Sequence, residues 1–343
     1  MKQKPTFESE YQKIFQDRWT ELKKALLKPK KHFLRLNQFT LNQFAIDQLA
    51  VESKKSFPPF NLFSSSPFEI ASFTGWIDSL PDPLPVNSNN LQYFYPMDAA
   101  SLFPVCALNP QPNENILDLC AAPGGKSLLI LEKLLFPKKN STFFNTLNTP
   151  SKELSLTLND RSKIRTQKLL NVLKNYLPPE IISQIRITSY AGERWYQVEK
   201  NTYDKILLDA PCSSERHVLH SAEHLKKWSP SRPKRLSHEQ LALLCSAFEV
   251  LKPGGRLVYS TCSLNPLEND LVIERFLKKR PAKIILFENI YSSVEGNHSE
   301  TTSNSLTAKV SSVVMGTSTH YGWQILPDVC DGWGPIYFCV IEK

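Results

Sequence analysis

Two cysteines stand where a nucleophile could work. Cys212 lies in Asp209-Ala-Pro-Cys-Ser-Ser214 and Cys262 in Ser260-Thr-Cys-Ser-Leu-Asn-Pro-Leu-Glu268, and each segment follows a short apolar run of the kind that makes a buried strand. Pro211 stiffens the loop that carries Cys212. Beyond Cys262, Asn265 can act as an N-cap, Pro266 suits the first helical position and Glu268 can complete a capping box. The Cys262 thiol therefore lies just ahead of a helix start, whose positive end favours a thiolate. One such cysteine is most often a small buried apolar residue; two of them on neighbouring strand-end loops point to chemistry. Cys106, Cys120, Cys245, Cys330 and Cys339 have no such setting and read as structural. The odd total of seven, with no C-x-x-C pair, argues against a disulfide framework and a zinc ribbon, so no metal site is expected.

The thiols need a ligand beside them, and the stretch Ile116-Leu-Asp-Leu-Cys-Ala-Ala-Pro-Gly-Gly-Lys-Ser127 supplies a place for one. An apolar strand runs into a turn of small residues around Gly124 and Gly125, and a helix begins near Lys126. That order presents backbone N–H groups and a helix N-terminus to a cofactor. The turn has neither the G-x-G-x-x-G of a dinucleotide site nor the G-x-x-x-x-G-K-[ST] of a P-loop, which lowers the odds of both. Asp160 ends the next strand, where an acid accepts from a ribose hydroxyl; an N-cap for the following helix is the bland alternative.

From residue 93 onward the chain alternates strands and helices, which predicts an α/β fold with a parallel sheet and helices on both faces. Strands are expected over 116–120, 154–158, 185–188, 203–209, 256–261, 283–287 and 336–341. Helices are expected over 99–108, 126–135, 162–176, 235–251 and 267–277, with the 235–251 helix closed by Pro253-Gly-Gly255. Residues 136–152 and 289–319, rich in Asn, Ser and Thr, read as long surface loops. A sheet of this kind binds its ligand outside the carboxyl ends of its strands. Asp160, Asp209, Cys212 and Cys262 thus converge on one cleft beside Gly124 and Gly125. Residues 1–92 form a smaller, mainly helical and basic region ahead of the catalytic domain at 93–343. Residues 8–27 pattern as one amphipathic helix and 40–51 as another, while 57–85 mixes proline with aromatics. Lys23, Lys24, Lys28, Lys30, Lys31 and Arg35 make either a solvated face or a phosphate-binding patch.

The 343 residues carry a net charge of +8, which suits a polyanionic partner, nucleic acid above all. No apolar run is long enough to span a membrane. Residues 1–11 lack an apolar core and mix Lys2 and Lys4 with Glu8 and Glu10, a poor fit to a transit peptide. A reducing, cytoplasmic compartment of the bacterial type is expected, with a mitochondrial one as the alternative.

Asp118-Leu-Cys-Ala-Ala-Pro-Gly-Gly-Lys126, Asp209-Ala-Pro-Cys212 and Ser260-Thr-Cys-Ser263, in this order, resemble the signature motifs of the Sun family of RNA 5-methylcytosine methyltransferases. The resemblance spans roughly residue 93 to the C-terminus. Glu215-Arg-His-Val-Leu-His220 and Trp333-Gly-Pro-Ile-Tyr-Phe-Cys339 are most similar to the branch acting on mitochondrial small-subunit ribosomal RNA and its bacterial relatives. It implies a Rossmann-like class I methyltransferase fold and S-adenosyl-L-methionine as cofactor. Gly124, Gly125 and Lys126 would meet the methionine end, Asp160 and Arg165 the ribose and adenine side, and Asp209 would sit between cofactor and cytosine. Cys262 would be the nucleophile and Cys212 would assist product release. The expected partner is RNA, ribosomal first and transfer RNA second, bound by a monomer with room for a protein that delivers the RNA.

One position departs from that pattern. Ala191 stands where the relatives carry an acid after the third strand, and Glu193 is the nearest substitute. A DNA cytosine-5 methyltransferase would use the Pro-Cys thiol as nucleophile and need no Thr-Cys motif. An amide or amine methyltransferase would want Asn-Pro-Pro-Tyr in place of Asp209-Ala-Pro-Cys212. The rival from another class is a non-catalytic RNA-binding or ribosome-assembly factor that keeps the fold.

Overall fold

In the computed structural model, which describes residues 5–40, 74–77, 80, 82–84, 86–136, 154–287 and 315–343, the chain begins with two short helices, α1 (Phe7–Phe15) and α2 (Trp19–Leu27). Thr6 and Ser9 cap α1 reciprocally, side chain to backbone. The single helix expected over 8–27 breaks at Gln16, whose φ is 51°, and a short 3-10 turn at Gln16–Arg18 intervenes. The break lets the two helices fold against each other. Tyr11 and Trp19, both fully buried, stack with ring centroids 5.4 Å apart.

Strand β1 (His32–Leu36) pairs antiparallel with β2 (Thr74–Ile77) and β3 (Phe94–Met97). The first 92 residues, expected to be mainly helical, therefore supply strands as well, and their sheet continues past residue 93. Both faces of β1 are covered, since Phe33, Leu34, Arg35 and Leu36 are all buried. The helix expected at 40–51 lies outside the described residues beyond Thr40. So do nearly all of the loops expected at 136–152 and 289–319 and most of the stretch 57–85.

The second sheet positions the site. After α3 (Leu102–Leu108) come β4 (Ile116–Asp118), α4 (Gly125–Leu135), β5 (Leu156–Asn159), α5 (Lys163–Tyr176), α6 (Pro179–Ile182), β6 (Arg186–Thr188) and β7 (Tyr203–Asp209). Three helices follow, α7 (Glu215–Leu219), α8 (Ala222–Lys226) and α9 (Ser231–Val250), and then β8 (Leu251–Thr261), α10 (Asp270–Leu277), β9 (Lys283–Ile285), β10 (Thr317–Ser318), β11 (Trp323–Ile325) and β12 (Ile336–Glu342). The strand order is β10-β11-β12-β8-β7-β4-β5-β6, with β9 also on β12. Strands β6, β5, β4, β7 and β8 run parallel, and β12 is antiparallel to β8. The order reverses at β4, so the crevice outside the carboxyl ends of β4 and β7 is the natural ligand site of such a sheet. This is the α/β architecture with helices on both faces that the sequence predicts.

Two apolar layers hold it. Leu207 and Val258 face a cluster built with Leu128 and Leu129 of α4 and Leu169 and Leu173 of α5. Ile206, Leu208, Leu257 and Tyr259 face the other way, onto Leu244 and Phe248 of α9 and Val272 and Phe276 of α10. This period-two alternation buries both faces of β7 and β8, which is why their sequences are almost continuously apolar. One local expectation fails. Pro253-Gly-Gly255 does not close a helix but lies within β8, where Gly254 takes φ +77° and the β7–β8 register shifts.

Candidate active site

The turn at Gly124 and Gly125 is shaped by what packs behind it. Gly124 has φ +120°, and a Cβ there would come within 2.9 Å of Leu169; a Cβ on Gly125 would sit 2.7 Å from the Tyr95 ring. Both glycines are thus required by the chain's own packing, a reason the sequence does not reveal. No side chain caps α4, so its first-turn amides are the donors that an anionic ligand group would meet. At the foot of the turn Asp118 is buried, with Ser127 donating to Oδ2 at 2.7 Å and Oδ1 without a hydrogen bond. Burial, with help from the Asp209 charge, pushes its carboxyl up to about 7.

Asp160 is also buried. Its Oδ1 accepts from the Ser162 amide at 3.0 Å, while Oδ2 has no hydrogen bond and lies 3.3 Å from Arg165 Nε. The N-cap of α5 is Ser162, so Asp160 keeps an acceptor oxygen for a ligand. Arg165 also donates to the Ala122 carbonyl at 2.6 Å. It links Asp160 to the turn rather than standing free. Glu193, the candidate substitute for the acid missing at Ala191, pairs with Arg161 at 3.5 Å.

Asp209 is held from both sides. Lys126 Nζ donates to its Oδ2 at 2.7 Å and Ser260 Oγ to its Oδ1 at 2.8 Å. Burial draws the Lys126 ammonium down, but the Asp209 charge and hydrogen bond outweigh it and leave the group above its ordinary value, hence cationic. Lys126, expected to meet a cofactor's methionine end, is here engaged in an ion pair with Asp209.

The two thiols meet. Cys212 Sγ and Cys262 Sγ are 2.8 Å apart, and Ser214 Oγ is 3.5 Å from the first and 3.3 Å from the second. Ser214 reaches that position in a left-handed backbone conformation, φ 54° and ψ 56°. The hydrogen bond from Cys212 pulls the Cys262 thiol below its ordinary value against the effect of burial, with Ser214 adding to it. The same bond, together with burial, pushes Cys212 well up. The remaining five cysteines are all raised, each chiefly by burial. The pair therefore divides into one thiolate-prone sulfur, Cys262, and one sulfur that keeps its proton, Cys212.

Sequence reasoning missed Ser213, Ser214, Glu215, Ser260 and Ser263, and it misread Glu268. Glu268 does not reach back to cap a helix. It turns inward, accepting from the Ser213 amide at 3.0 Å and from Gln240 at 2.8 Å. Asn265 does cap, through its bond from the Leu267 amide at 3.0 Å. The two signature stretches at 215–220 and 333–339 pack together, since the buried Arg216 donates to the carbonyls of Gly332 at 2.9 Å and Gly334 at 2.6 Å. Arg35 is no part of a phosphate patch. It is buried in an ion pair with Glu132 of α4, and Lys23, Lys24 and Lys31 are paired with Glu8, Glu21 and Asp331. No group of His, Cys, Asp and Glu among the described residues could hold a metal ion.

Residues 105–313 match the sequence profile of a family described as 16S rRNA methyltransferase RsmB/F. The chain is 32% identical, over 97% of its length and 86% of the relative's, to the 5-cytosine rRNA methyltransferase NSUN4 of Bos taurus. It is 28% identical, over 98% of its length and 89% of the relative's, to a mitochondrial tRNA (cytosine(34)-C(5))-methyltransferase of Mus musculus. A methyltransferase homologue from Pyrococcus horikoshii shares the fold with a TM-score of 0.67 at 21% identity, covering 98% of this chain and 94% of that one.

Proposed function

The chain belongs to the 16S rRNA methyltransferase RsmB/F family, and on that premise we propose that it is an S-adenosyl-L-methionine-dependent RNA (cytosine-5)-methyltransferase acting on ribosomal RNA through a covalent Cys262–cytosine adduct. The observation that carries the reading is the meeting of the two thiols, 2.8 Å apart at the ends of adjacent parallel strands, with Ser214 Oγ beside both; the hydrogen bond from Cys212 draws Cys262 below its ordinary value. The NSUN4 relative favours ribosomal over transfer RNA as substrate. The mitochondrial relative favours that compartment over the cytoplasm.

The groups around the turn fit the cofactor. Asp160 Oδ2, buried without a hydrogen bond, suits a ribose hydroxyl, and Arg165 braces that carboxylate. The uncapped start of α4 and the spare donors of Lys126 suit a carboxylate. S-adenosyl-L-methionine supplies the methyl group as an activated sulfonium.

Carbon 5 of cytosine is a poor nucleophile. Attack of the Cys262 thiolate at carbon 6 moves electron density onto carbon 5 and makes it one. Asp209 has lone pairs left to accept from the 4-amino edge of the base, and the Lys126 cation beside it offsets charge that builds on the ring. After methylation the carbon 5 proton passes to solvent, its bonding pair forms the ring double bond, and the carbon–sulfur bond breaks with its electron pair returning to Cys262 as thiolate. Cys212, within 2.8 Å of the leaving sulfur, assists this elimination. A paired target base must first be extruded, at a cost of about a few kcal/mol. RNA phosphates have exposed partners in Lys226, Arg232 and Lys234, which follow the Cys212 loop, and in Lys28 and Lys30.

The test is transfer of a labelled methyl group from S-adenosyl-L-methionine to total RNA from cells lacking the gene, followed by digestion and separation of nucleosides. Label in 5-methylcytidine of one RNA species is the expected result. Absence of label with cofactor binding retained overturns the catalytic reading and leaves an RNA-binding assembly factor.

A further inference from the structure

Beneath the two thiols lie two fully buried carboxyl groups, Glu215 and Glu268, that the reaction itself does not use. Glu215 opens α7 on the Cys212 loop, and Glu268 lies on the Cys262 loop. The Ser213 hydroxyl is in hydrogen-bond contact with Oε1 of both. Ser263 Oγ lies 3.2 Å from Glu215 Oε1 and 2.9 Å from Glu268 Oε1. The outer oxygens are taken by N–H donors: Leu264 N to Glu215 Oε2 at 3.0 Å, and Ser213 N and Gln240 Nε2 to Glu268 Oε2 at 3.0 and 2.8 Å. The buried Tyr11 hydroxyl reaches across from α1 to Glu215 Oε1 at 2.5 Å.

Each loop is therefore held by the carboxyl group of the other. Glu215 binds the amide of Leu264, two residues past Cys262, and Glu268 binds the amide of Ser213, next to Cys212. The hydrogens do not balance if both acids are ionised. Tyr11, Ser213 and Ser263 bring three hydroxyl hydrogens to five contacts with the two Oε1 atoms, and the two serines also meet at 3.0 Å, so a carboxyl proton is needed to fill the contact between Ser213 and Glu268. No ion pair to either carboxyl exists among the described residues that would relieve two buried negative charges. The ionisable groups around them are Tyr11 on α1, Tyr259 on β8, the two thiols, and Arg275 on α10. The Tyr259 hydroxyl goes to the Glu268 carbonyl at 2.6 Å, and Arg275 serves the carbonyls of Ser237 and Leu267.

We propose that Tyr11, Glu215 and Glu268 are positioning residues, in which a neutral Glu268 donates to Ser213, Ser213 donates to an ionised Glu215, and this shared proton, clamped by α1, fixes the spacing of the Cys212 and Cys262 sulfurs. The roles of the thiols in this statement rest on the function proposed above; the brace itself does not. Burial and the neighbouring Glu215 push Glu268 up to about 7, in keeping with its assignment as the neutral partner. The N-terminal helix is thereby a structural part of the active site. As pH rises through that range the proton leaves, two buried charges face each other, and the loops loosen.

The experiment compares the full chain with Glu268→Gln, Glu268→Ala and Tyr11→Phe. It measures the thermal unfolding midpoint over about pH 6 to 9, alkylation of Cys262 by iodoacetamide followed by mass spectrometry, and methyl transfer. Glutamine keeps an N–H donor toward Ser213. It is expected to leave kcat within about threefold of wild type, whereas Glu268→Ala lowers kcat about tenfold or more with KM unchanged. Glu268→Gln should also flatten the loss of stability above pH 7 and leave the pH profile of Cys262 alkylation in place. Glu268→Ala and Tyr11→Phe should move that profile to higher pH, because Cys212 is no longer held to stabilise the thiolate. Equal losses in the Gln and Ala variants, or a stability profile for Glu268→Gln that parallels wild type, overturn the proposal. If no chain transfers methyl groups, the function proposed above fails, while the unfolding and alkylation profiles still decide the brace.

Discussion

Cys212 and Cys262 are fifty residues apart in sequence, yet their sulfur atoms lie 2.8 Å apart. The contact is made because β7 and β8 are adjacent parallel strands, with Asp209 opposite Ser260, so the loops leaving their ends must run side by side. A thiol that donates and a sulfur that accepts are an unequal pair. Cys262→Ala should abolish methylation with little change in unfolding midpoint. Cys212→Ala should accumulate a covalent protein–RNA species visible on a denaturing gel. Its formation should move to higher pH than attack by the wild type, since the donor that stabilises the Cys262 thiolate is gone. An adduct that appears only with Cys262→Ala would reverse the two roles.

The Lys126–Asp209 pair makes a separate forecast. Asp209→Asn keeps the shape and the contact with Ser260 but weakens the hold on Lys126, and it should lower kcat about 100-fold. Lys126→Ala should weaken cofactor binding as well, because it removes a cation from the start of α4. Calorimetric titration with S-adenosyl-L-methionine separates the two: unchanged affinity in Lys126→Ala would assign that lysine to the base alone.

The turn glycines should fail for steric reasons before any ligand is considered. Gly125→Ala drives a methyl group into the Tyr95 ring and should cost about 1–3 kcal/mol in denaturant unfolding. Adding Tyr95→Leu should recover part of that loss. No recovery would mean that the glycine serves the ligand and not Tyr95.

Asp118 gives the pH dependence of the cofactor turn. Its carboxyl titrates near 7 in the folded chain, above its ordinary 3.8, so the neutral acid is the form that folding favours. The stabilisation is complete below the unfolded value and is lost as pH rises through about 7. Asp118→Asn should therefore match wild type in acid and exceed it in stability above pH 7. Unfolding midpoints across that range check the sign.

Arg35 and Lys30 should behave oppositely, although both belong to one basic run in the sequence. Arg35→Ala leaves the buried Glu132 carboxylate alone and should destabilise the chain by about 3–5 kcal/mol. Lys28 and Lys30 are exposed, so replacing both with alanine should leave stability unchanged and reduce the salt slope of RNA binding by about 1–2 units. An unchanged slope places the RNA elsewhere.

The sequence by itself determined the sheet and the list of reactive groups. Apolar runs of strand length, each ended by a polar residue or a small-residue turn, fix which residues stand at the carboxyl ends, and that rule depends only on local patterning and the handedness of βαβ connections. Asp160, Asp209, Cys212 and Cys262 were legible for that reason. Tertiary structure alone decided how these groups are paired, because hydrogen bonds between distant loops leave no periodic trace in either loop. It set Lys126 against Asp209 and turned Glu268 inward from its apparent capping role to Ser213. It also made Tyr11, within the stretch 8–27 that patterns as an amphipathic helix, the outer clamp of the two cysteine loops. Arg35 shows the same limit: charge is local information, but burial is a property of everything that packs on it, and here that is Glu132.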